Sequence, residues 1–219
     1  MRLTIFGASG NVGRLVVKEC LSRGHTVVAF THSNNSLPNE GKLPHPEKLR
    51  VIQGDVHDLG HVAEALQGSE AVICALGSWG SKSRDVVTAG IGAIIPAMKH
   101  HHIERIVTLT GAEAHDEGDK PTILRNLAHT AANVAAGRIL HDGEEHIRLL
   151  RESGLDWTTL RSPVMTNQHE IFYTLTLTPR APWQTVPRIA VAKALVDQVE
   201  GPAYSNAAPF IYRQTSRFA

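Results

Sequence analysis

The chain opens with an apolar run that stops at a glycine, and this start constrains the fold more than any other feature. Residues 3–6 predict a buried strand, and Gly7, Gly10 and Gly13 follow at G-x-x-G-x-x-G spacing, before a helix-like run over residues 14–21. Glycines permit a sharp turn and a close approach of the backbone to a ligand, and a helix N-terminus offers unpaired N–H groups to an anion. The sequence therefore predicts a strand–turn–helix unit that holds the pyrophosphate of a dinucleotide.

Composition indicates one ordinary globular domain. The 219 residues, of which 42% are hydrophobic, can bury one substantial core. A net charge of +1 without a basic block argues against nucleic acid or an anionic membrane surface as a partner. No apolar run reaches the length of a membrane span. Because the first predicted strand begins at once, we expect no signal peptide and a cytoplasmic location.

Cysteine and histidine usage predicts no metal site. Cys20 and Cys74 both lie in apolar segments, which favours buried free thiols over a disulfide or a metal centre. Of the thirteen histidines, only His100, His101 and His102 are adjacent. Consecutive side chains on a helix point in different directions and cannot all face one ion. We therefore expect these three histidines to end a helix in solvent.

Short apolar segments alternate with helix-like segments along the whole chain. The predicted strands are Arg2–Phe6, Thr26–Phe30, Leu49–Gln53, Ala71–Ala75, Arg105–Thr110, Asp156–Leu160 and Pro209–Tyr212. The predicted helices are Asn11–Arg23, Leu59–Gln67, Val86–Lys99, Glu144–Ser153 and Pro187–Glu200. Continuous apolar strands are typical of a parallel sheet that is buried on both faces. The pattern predicts an α/β fold with a doubly wound parallel sheet, the Rossmann fold.

One stretch interrupts this alternation. Residues 112–142 contain a charged loop and then an alanine-rich, helix-like segment, Ile123–Ala136. The stretch directly follows a predicted strand end, where the ligand crevice of such a sheet lies. We therefore expect one domain over residues 1–219, in which residues 112–142 and 164–187 form a small lobe on the substrate side.

The cofactor-binding residues are predicted at the glycine loop and at the end of the second strand. The loop residues are Gly7, Ser9, Gly10, Asn11, Val12 and Gly13. An acidic residue after the second strand would bind the ribose 2′-hydroxyl of NAD, but this chain has Thr31, His32, Ser33 and Asn34 there. With Arg14 nearby, this favours NADP(H) over NAD(H), although His32 can equally be a surface turn residue.

The remaining cofactor contacts are expected where the third to sixth strands end. Asp55 and Val56 are predicted to meet the adenine, with a local turn as the alternative role of Asp55. The nicotinamide end of the site is assigned to Ala75, Leu76, Gly77, Thr110, Gly111, Ser162 and Pro163. Small residues at these positions let the chain pass close to the cofactor.

On these motifs the chain resembles the atypical short-chain dehydrogenase/reductases. The matching segments are GASGNVG, Gly54-Asp55, Ala75-Leu76-Gly77, Leu150–Thr158 (LRESGLDWT) and Leu160–Pro163 (LRSP). The chain is similar, more narrowly, to the NAD(P)H-binding group that contains biliverdin reductase B, a flavin reductase, and NmrA-like proteins. The resemblance spans nearly the whole chain and is weak over residues 112–142. It implies a Rossmann fold, NADPH as the usual cofactor, and reduction of flavins or other planar acceptors.

The chain departs from these relatives at three places. Larger members use a Tyr-x-x-x-Lys pair, but Tyr173, Tyr204 and Tyr212 have no lysine four residues later. Flavin-reductase relatives often have a serine where this chain has Gly111 and a histidine where it has Val164. Hydride transfer to a flavin needs mainly aligned rings and a dry pocket, so these losses do not exclude a reductase.

Few residues remain as proton donors or stacking partners. Thr110 is the predicted catalytic residue, because its hydroxyl can bond an acceptor; its alternative role is to cap the strand. Glu113 and His115 follow that strand, and a histidine suits proton transfer near neutral pH, but solvated loop positions fit both residues better. Trp79 can stack on a flat ligand or cover the core.

Three functional hypotheses follow. The first is an NADPH-dependent oxidoreductase that reduces a flavin (FMN or FAD), a quinone or another planar small molecule. The second is a non-catalytic NADP(H)-sensing regulator of the NmrA-like kind, which the missing Tyr-x-x-x-Lys pair favours. The third is an isomerase or epimerase, against which the same absence argues. We expect a monomer or a weak homodimer.

Overall fold

One eight-stranded sheet organises the part of the chain that the structure describes. The structure is a computed structural model, and it describes residues 1–32, 37, 42–77, 85–119, 123–181 and 183–214. The strands are β1 (Arg2–Phe6), β2 (Thr26–Thr31), β3 (Leu49–Gln53), β4 (Ala71–Cys74), β5 (Arg105–Gly111), β6 (Asp156–Ser162), β7 (Val164–Thr166), β8 (Tyr173–Thr176), β9 (Thr185–Pro187) and β10 (Phe210–Arg213). All but β7 and β9, which pair with each other, belong to this sheet.

The strand order creates a crevice beside β1. The order is β3-β2-β1-β4-β5-β6-β10-β8, and only β8 runs antiparallel to its neighbour. The chain runs outward from β1 through β2 to β3, and then returns to place β4 on the other side of β1. The first six strands therefore end at one edge of the sheet, and their order reverses between β1 and β4. The predicted doubly wound parallel sheet is confirmed.

In the described part of the chain, five α-helices cover the two faces of the sheet. They are α1 (Gly13–Ser22), α2 (Leu59–Leu66), α3 (Val86–His100), α4 (Ile123–Glu152) and α5 (Arg188–Glu200). One apolar core joins the sheet to α1 and α5, and the other joins it to α2, α3 and the C-terminal part of α4. Burial on both faces explains why β1 and β4 are apolar along almost their whole length. No helix in the described ranges is both long and apolar enough to cross a membrane.

The structure corrects the predicted helices in the interrupted stretch. The segments Ile123–Ala136 and Glu144–Ser153, predicted as separate elements, belong to the single helix α4. The helix is nevertheless sharply bent, because His129 Nε2 lies 2.8 Å from Glu144 Oε1. In a straight helix, fifteen residues span about 22 Å, far beyond the reach of two side chains. The prediction of two separate helices was therefore wrong, because one bent helix spans both segments.

Three short strands were not predicted. β7 and β9 contain three residues each and pair in parallel with each other, directly after the end of β6. β8 is a half-buried edge strand that pairs with β10. Runs this short show no clear hydrophobic alternation, so only tertiary pairing identifies them as strands.

Both cysteines are buried free thiols, as predicted. Burial raises the pKa of the Cys20 and Cys74 thiols to about 12, so both are protonated and unreactive at neutral pH. The predicted helix end at the histidine cluster is also confirmed, since α3 ends at His100.

His146 is a fully buried titratable group on α4. Its Nε2 lies 3.2 Å from the Thr108 hydroxyl on β5, and burial lowers its pKa to about 4. The imidazole is therefore neutral in the folded protein at pH values where it is partly protonated in the unfolded chain, whose histidines titrate near 6.5. Its contribution to stability is fully present above pH 6.5 and is lost as the pH falls toward 4.

We therefore expect His146 to make folding pH-dependent. Between about pH 7 and about pH 5 this single group should remove about 2 kcal/mol from the free energy of unfolding, because only the unfolded state takes up its proton. Urea denaturation of the wild type and of His146→Gln at both pH values measures this. The variant should lose that part of the pH dependence, and His141→Gln, an exposed control on the same helix, should retain it. Equal pH dependence in all three proteins would refute this role.

Candidate functional site: a dinucleotide crevice at the sheet edge

The glycine loop lies against the end of β4. Gly7 adopts a φ of +75°, and a Cβ at this position would lie 2.7 Å from the carbonyl of Ala75 and from the Leu76 amide nitrogen. Gly13 is equally restricted, because its Cβ would lie 2.0 Å from the Gly7 carbonyl oxygen. Only glycine fits at both positions, so the loop turns tightly across the switch point between β1 and β4.

The loop delivers an open helix N-terminus to this edge. α1 begins at Gly13 after Val12, its first turn contains no acidic residue, and no side chain caps it. The Gly10 amide bonds the Gly7 carbonyl at 3.0 Å, while Gly10 and Asn11 remain exposed and Ser9 is half-buried. An uncapped N-terminus beside exposed backbone is a site for an anion such as a pyrophosphate. The loop residues thus fit the phosphates of a dinucleotide.

Residues from the third and fourth strands meet beside the loop. A Cβ on Gly90 of α3 would lie 2.6 Å from Leu76 Cδ1 and 3.8 Å from Val56 Cβ, so the predicted contacts Leu76 and Val56 pack around one point. Ala75 and Leu76 are half-buried and Gly77 is exposed, which leaves the end of β4 open to a ligand. Trp79 lies outside the described residues.

The predicted adenosine contacts have different surroundings. Thr31 is buried and His32 is exposed at the end of β2, while Ser33 and Asn34 lie outside the described residues. The Asp55 carboxylate accepts hydrogen bonds from the His57 backbone N–H at 2.9 Å and from its Nδ1 at 2.6 Å. The pKa of Asp55 is lowered, mainly by the hydrogen bond from the His57 backbone N–H and next by the hydrogen bond from the His57 ring. These bonds form a local turn at Asp55, and its contact with the adenine stays a prediction.

The ends of β5 and β6 supply the far side of the crevice. Thr110 is half-buried and Gly111 is exposed. A Cβ on Gly143 of α4 would lie 2.5 Å from Thr110 Oγ1, so the helix backbone passes directly over the threonine. On β6, the buried Ser162 hydroxyl donates to the Pro163 carbonyl at 3.0 Å, and the Ser162 carbonyl accepts from Ala112 at 2.8 Å. Both the hydroxyl and the carbonyl of Ser162 are thus bonded within the protein.

A buried arginine fixes the loop that follows β5. Both terminal nitrogens of Arg161 donate to the Asp119 carboxylate, at 2.6 and 2.8 Å, and its Nε donates to the Ala208 carbonyl. The guanidinium also stacks on Phe210, 3.8 Å from the ring centroid. A bidentate, buried pair of this kind holds a precise geometry. The loop after β5 is therefore held against β6 and β10.

The bent helix brings two further residues to this loop. The Glu144 carboxylate accepts from the His115 backbone N–H at 3.0 Å and contacts His129 Nε2 at 2.8 Å. The His115 and His129 rings stack with centroids 3.9 Å apart. His115 is half-buried rather than solvated, and Glu113 is half-buried as well. The sequence analysis missed His129 and Glu144 because it placed them on different helices, whereas one helix bends between them.

Fold and site together define a Rossmann protein with a dinucleotide-binding crevice. The comparison with known families agrees, since the model described as NAD(P)H-binding matches residues 7–202. The chain belongs to this NAD(P)H-binding family. The predicted membership of an NAD(P)H-binding group is thereby confirmed.

Individual relatives are distant in sequence and close in fold. The chain is 27% identical to YwnB of Bacillus subtilis over 168 residues, 73% of this chain and 70% of that protein. It is 23% identical to a 2-alkyl-3-oxoalkanoate reductase of Stenotrophomonas maltophilia over 87% of this chain but only 55% of that protein.

Two solved structures share the whole architecture. A Veillonella parvula short-chain dehydrogenase/reductase in complex with NADP has a TM-score of 0.78 and 20% identity, with 99% of this chain and 96% of that chain covered. ChuY of Escherichia coli O157:H7, described as an anaerobillin reductase, has a TM-score of 0.77 and 18% identity over 100% of both chains.

We predict that Gly10→Leu abolishes nucleotide binding without unfolding the protein. A Cβ at Gly10 meets only the Gly7 carbonyl oxygen, at 3.2 Å, so the fold can adapt while the side chain fills the anion site. Titration with NADPH, followed by nicotinamide fluorescence, should show a dissociation constant raised at least about tenfold. Gly92→Leu is the control, because a Cβ at this exposed helical position meets nothing within 4 Å. Unchanged affinity in Gly10→Leu would place the pyrophosphate elsewhere.

Proposed function

We propose that the protein is an NADPH-dependent oxidoreductase that reduces a flavin, a quinone or another planar acceptor. One observation carries the proposal: no carboxylate stands at the described end of β2, beside the dinucleotide crevice. Exposed apolar residues in the segment after β6 add support for a planar acceptor. The class, an NAD(P)-dependent oxidoreductase, is supported by the family match and by relatives that are named as reductases.

The preference for NADPH rests on the polar groups near the ribose. The buried Thr31 ends β2, the exposed His32 follows it, and Arg14 is exposed on the first turn of α1. These groups donate hydrogen bonds or carry positive charge, which suits a 2′-phosphate. Neither of the two described residues at this strand end, Thr31 and His32, is acidic, so neither would repel that phosphate.

The planar acceptor is proposed from the surface beyond β6. Val164, directly after Pro163, is 73% exposed, and Phe172 and Trp183 in the following segment are 67% and 78% exposed. Large apolar side chains exposed beside a crevice favour a ligand with a flat apolar face. We therefore place the acceptor between the nicotinamide position near Leu76, Thr110 and Pro163 and the lobe formed by residues 112–142 and 164–187.

The chain's own residues would bind and orient the cofactor and the acceptor, and no tyrosine would relay a proton. The bound nicotinamide supplies the hydride. The Tyr173 hydroxyl donates to Asp197, the Tyr204 hydroxyl donates to the Leu175 carbonyl, and the Tyr212 hydroxyl accepts from the Arg180 amide. Since all three tyrosines are used structurally, we assign the acceptor's hydrogen bond to the Thr110 hydroxyl.

The second candidate is a non-catalytic NADP(H) sensor. All three tyrosine hydroxyls form hydrogen bonds within the fold, so none is assigned as a proton donor to an acceptor at the nicotinamide. This favours the sensor. A sensor binds NADPH as tightly as a reductase does but does not oxidise it. Turnover therefore separates the two candidates.

We expect NADPH to be oxidised faster by the purified protein together with FMN than by FMN without the protein, at a saturating concentration of NADPH. Thr110→Val should lower kcat/KM for the acceptor by about tenfold through the loss of one hydrogen bond. Stopped-flow or steady-state absorbance of NADPH measures both. The same assay with a quinone tests the other acceptor class. Tight NADPH binding without turnover for either acceptor would reject the reductase in favour of the sensor.

We also predict that Arg14→Gln weakens NADPH binding and leaves NADH binding unchanged, because only NADPH carries the 2′-phosphate. The loss should be about tenfold for one exposed charge-assisted contact. Lys18→Gln is the matched control, since Lys18 is also exposed on α1, one turn further on. An equal loss of affinity for both nucleotides would assign Arg14 to the pyrophosphate and remove the basis for NADP specificity.

A further inference from the structure

Three potential metal ligands converge beside the crevice. His115, His129 and Glu144 each offer one ligand atom, and these atoms all lie within 4.8 Å of one another. His115 belongs to the loop after β5, while His129 and Glu144 lie on the two arms of the bent helix α4. All three side chains are half-buried. This convergence exists only because α4 bends.

The charges of His115, His129 and Glu144 are compatible with binding a cation. The His115 and His129 rings stack with centroids 3.9 Å apart, a spacing at which two protonated imidazoles would repel each other. Neutral imidazole is the form that binds metals. Among the described side chains, the ion pair of Glu144 is with His129, and neither lysine nor arginine pairs with it. The cluster therefore presents two imidazole nitrogens and one carboxylate.

The contact between His129 and Glu144 is replaceable by an ion. One proton lies between Nε2 and Oε1, which are 2.8 Å apart, and a metal ion bound to both groups would displace it. The His115 backbone N–H, which donates to Glu144 Oε1 at 3.0 Å, would continue to orient the carboxylate. Ligand atoms around tetrahedral zinc are about 3.3 Å apart. Separations of up to 4.8 Å in the cluster therefore need to close by at most about 1.5 Å, and the 2.8 Å contact between Nε2 and Oε1 needs to open by about 0.5 Å.

We propose that His115, His129 and Glu144 form a binding site for a divalent transition metal, zinc foremost. Two histidines and one carboxylate are a ligand set that zinc accepts, and three protein ligands leave a fourth position for water or a ligand. The site lies next to the crevice, because Glu144 follows Gly143, whose backbone covers Thr110. A bound ion would also join the loop after β5 to both arms of α4. The proposal does not depend on the proposed reduction.

The test is metal binding by the full-length protein, without an affinity tag of histidines and after treatment with a chelator. Zn²⁺ is titrated in competition with a fluorescent chelator, and Co²⁺ is titrated by visible absorption. We expect one tight ion per chain and the intense cobalt bands of a four-coordinate site. His129→Asn and Glu144→Gln should each raise the dissociation constant at least about tenfold. Zn²⁺ should also raise the melting temperature of the wild type more than that of either variant.

Two control variants distinguish this site from surface histidines. His141→Asn removes an exposed histidine from α4, and His102→Asn removes one from the His100–His102 cluster. Both should bind zinc like the wild type. Absence of tight binding by the wild type, or equal loss in all four variants, would overturn the proposal. NADPH affinity, measured in the metal-free variants, shows whether each variant is folded. If one variant is unfolded, the other variant and the cobalt spectrum of the wild type still test the proposal.

Discussion

The contact between Gly7 and the backbone of Ala75 and Leu76 is the constraint on which the site depends. At 2.7 Å there is no room for a Cβ, so the loop after β1 can lie directly against the end of β4. This approach occurs at the place where the strand order reverses, and it aims the uncapped N-terminus of α1 into the crevice. Any larger residue at this position would move the loop and, with it, the anion site.

The second organising feature is the bend in α4. Around it, Asp142 accepts hydrogen bonds from the Val87 and Thr88 amides and so caps α3, while the backbone of Gly143 lies over Thr110. His146 reaches the Thr108 hydroxyl one turn further on. These contacts attach α4 both to α3 and to β5. The N-terminal arm is thereby turned back toward the loop after β5, where His129 meets His115.

One half of the site is formed mainly by the backbone, and the other half is formed by side chains. The nucleotide half uses backbone geometry, which any sequence with the glycines at the right spacing can form. The other half contains side chains that the fold brings together: Thr110, the Arg161–Asp119 pair, and the cluster of His115, His129 and Glu144. The three tyrosines lie in structural hydrogen bonds instead, so the chemistry proposed for this crevice relies on the cofactor and on positioning.

Sequence alone determined the fold class, the glycine loop, the core strands and the buried thiols, because each rests on local information: apolar runs, glycine spacing and helix-like segments. Asp55 shows the limit of such reasoning, since either a turn or an adenine contact fits its position. The structure shows the turn bonds to His57, and the adenine contact stays a prediction. Tertiary structure alone decided the course of α4, the pairing of β7 with β9, and the meeting of His129 with Glu144. These features depend on contacts between residues far apart along the chain, or across a bend, and neither periodicity nor composition encodes such distances.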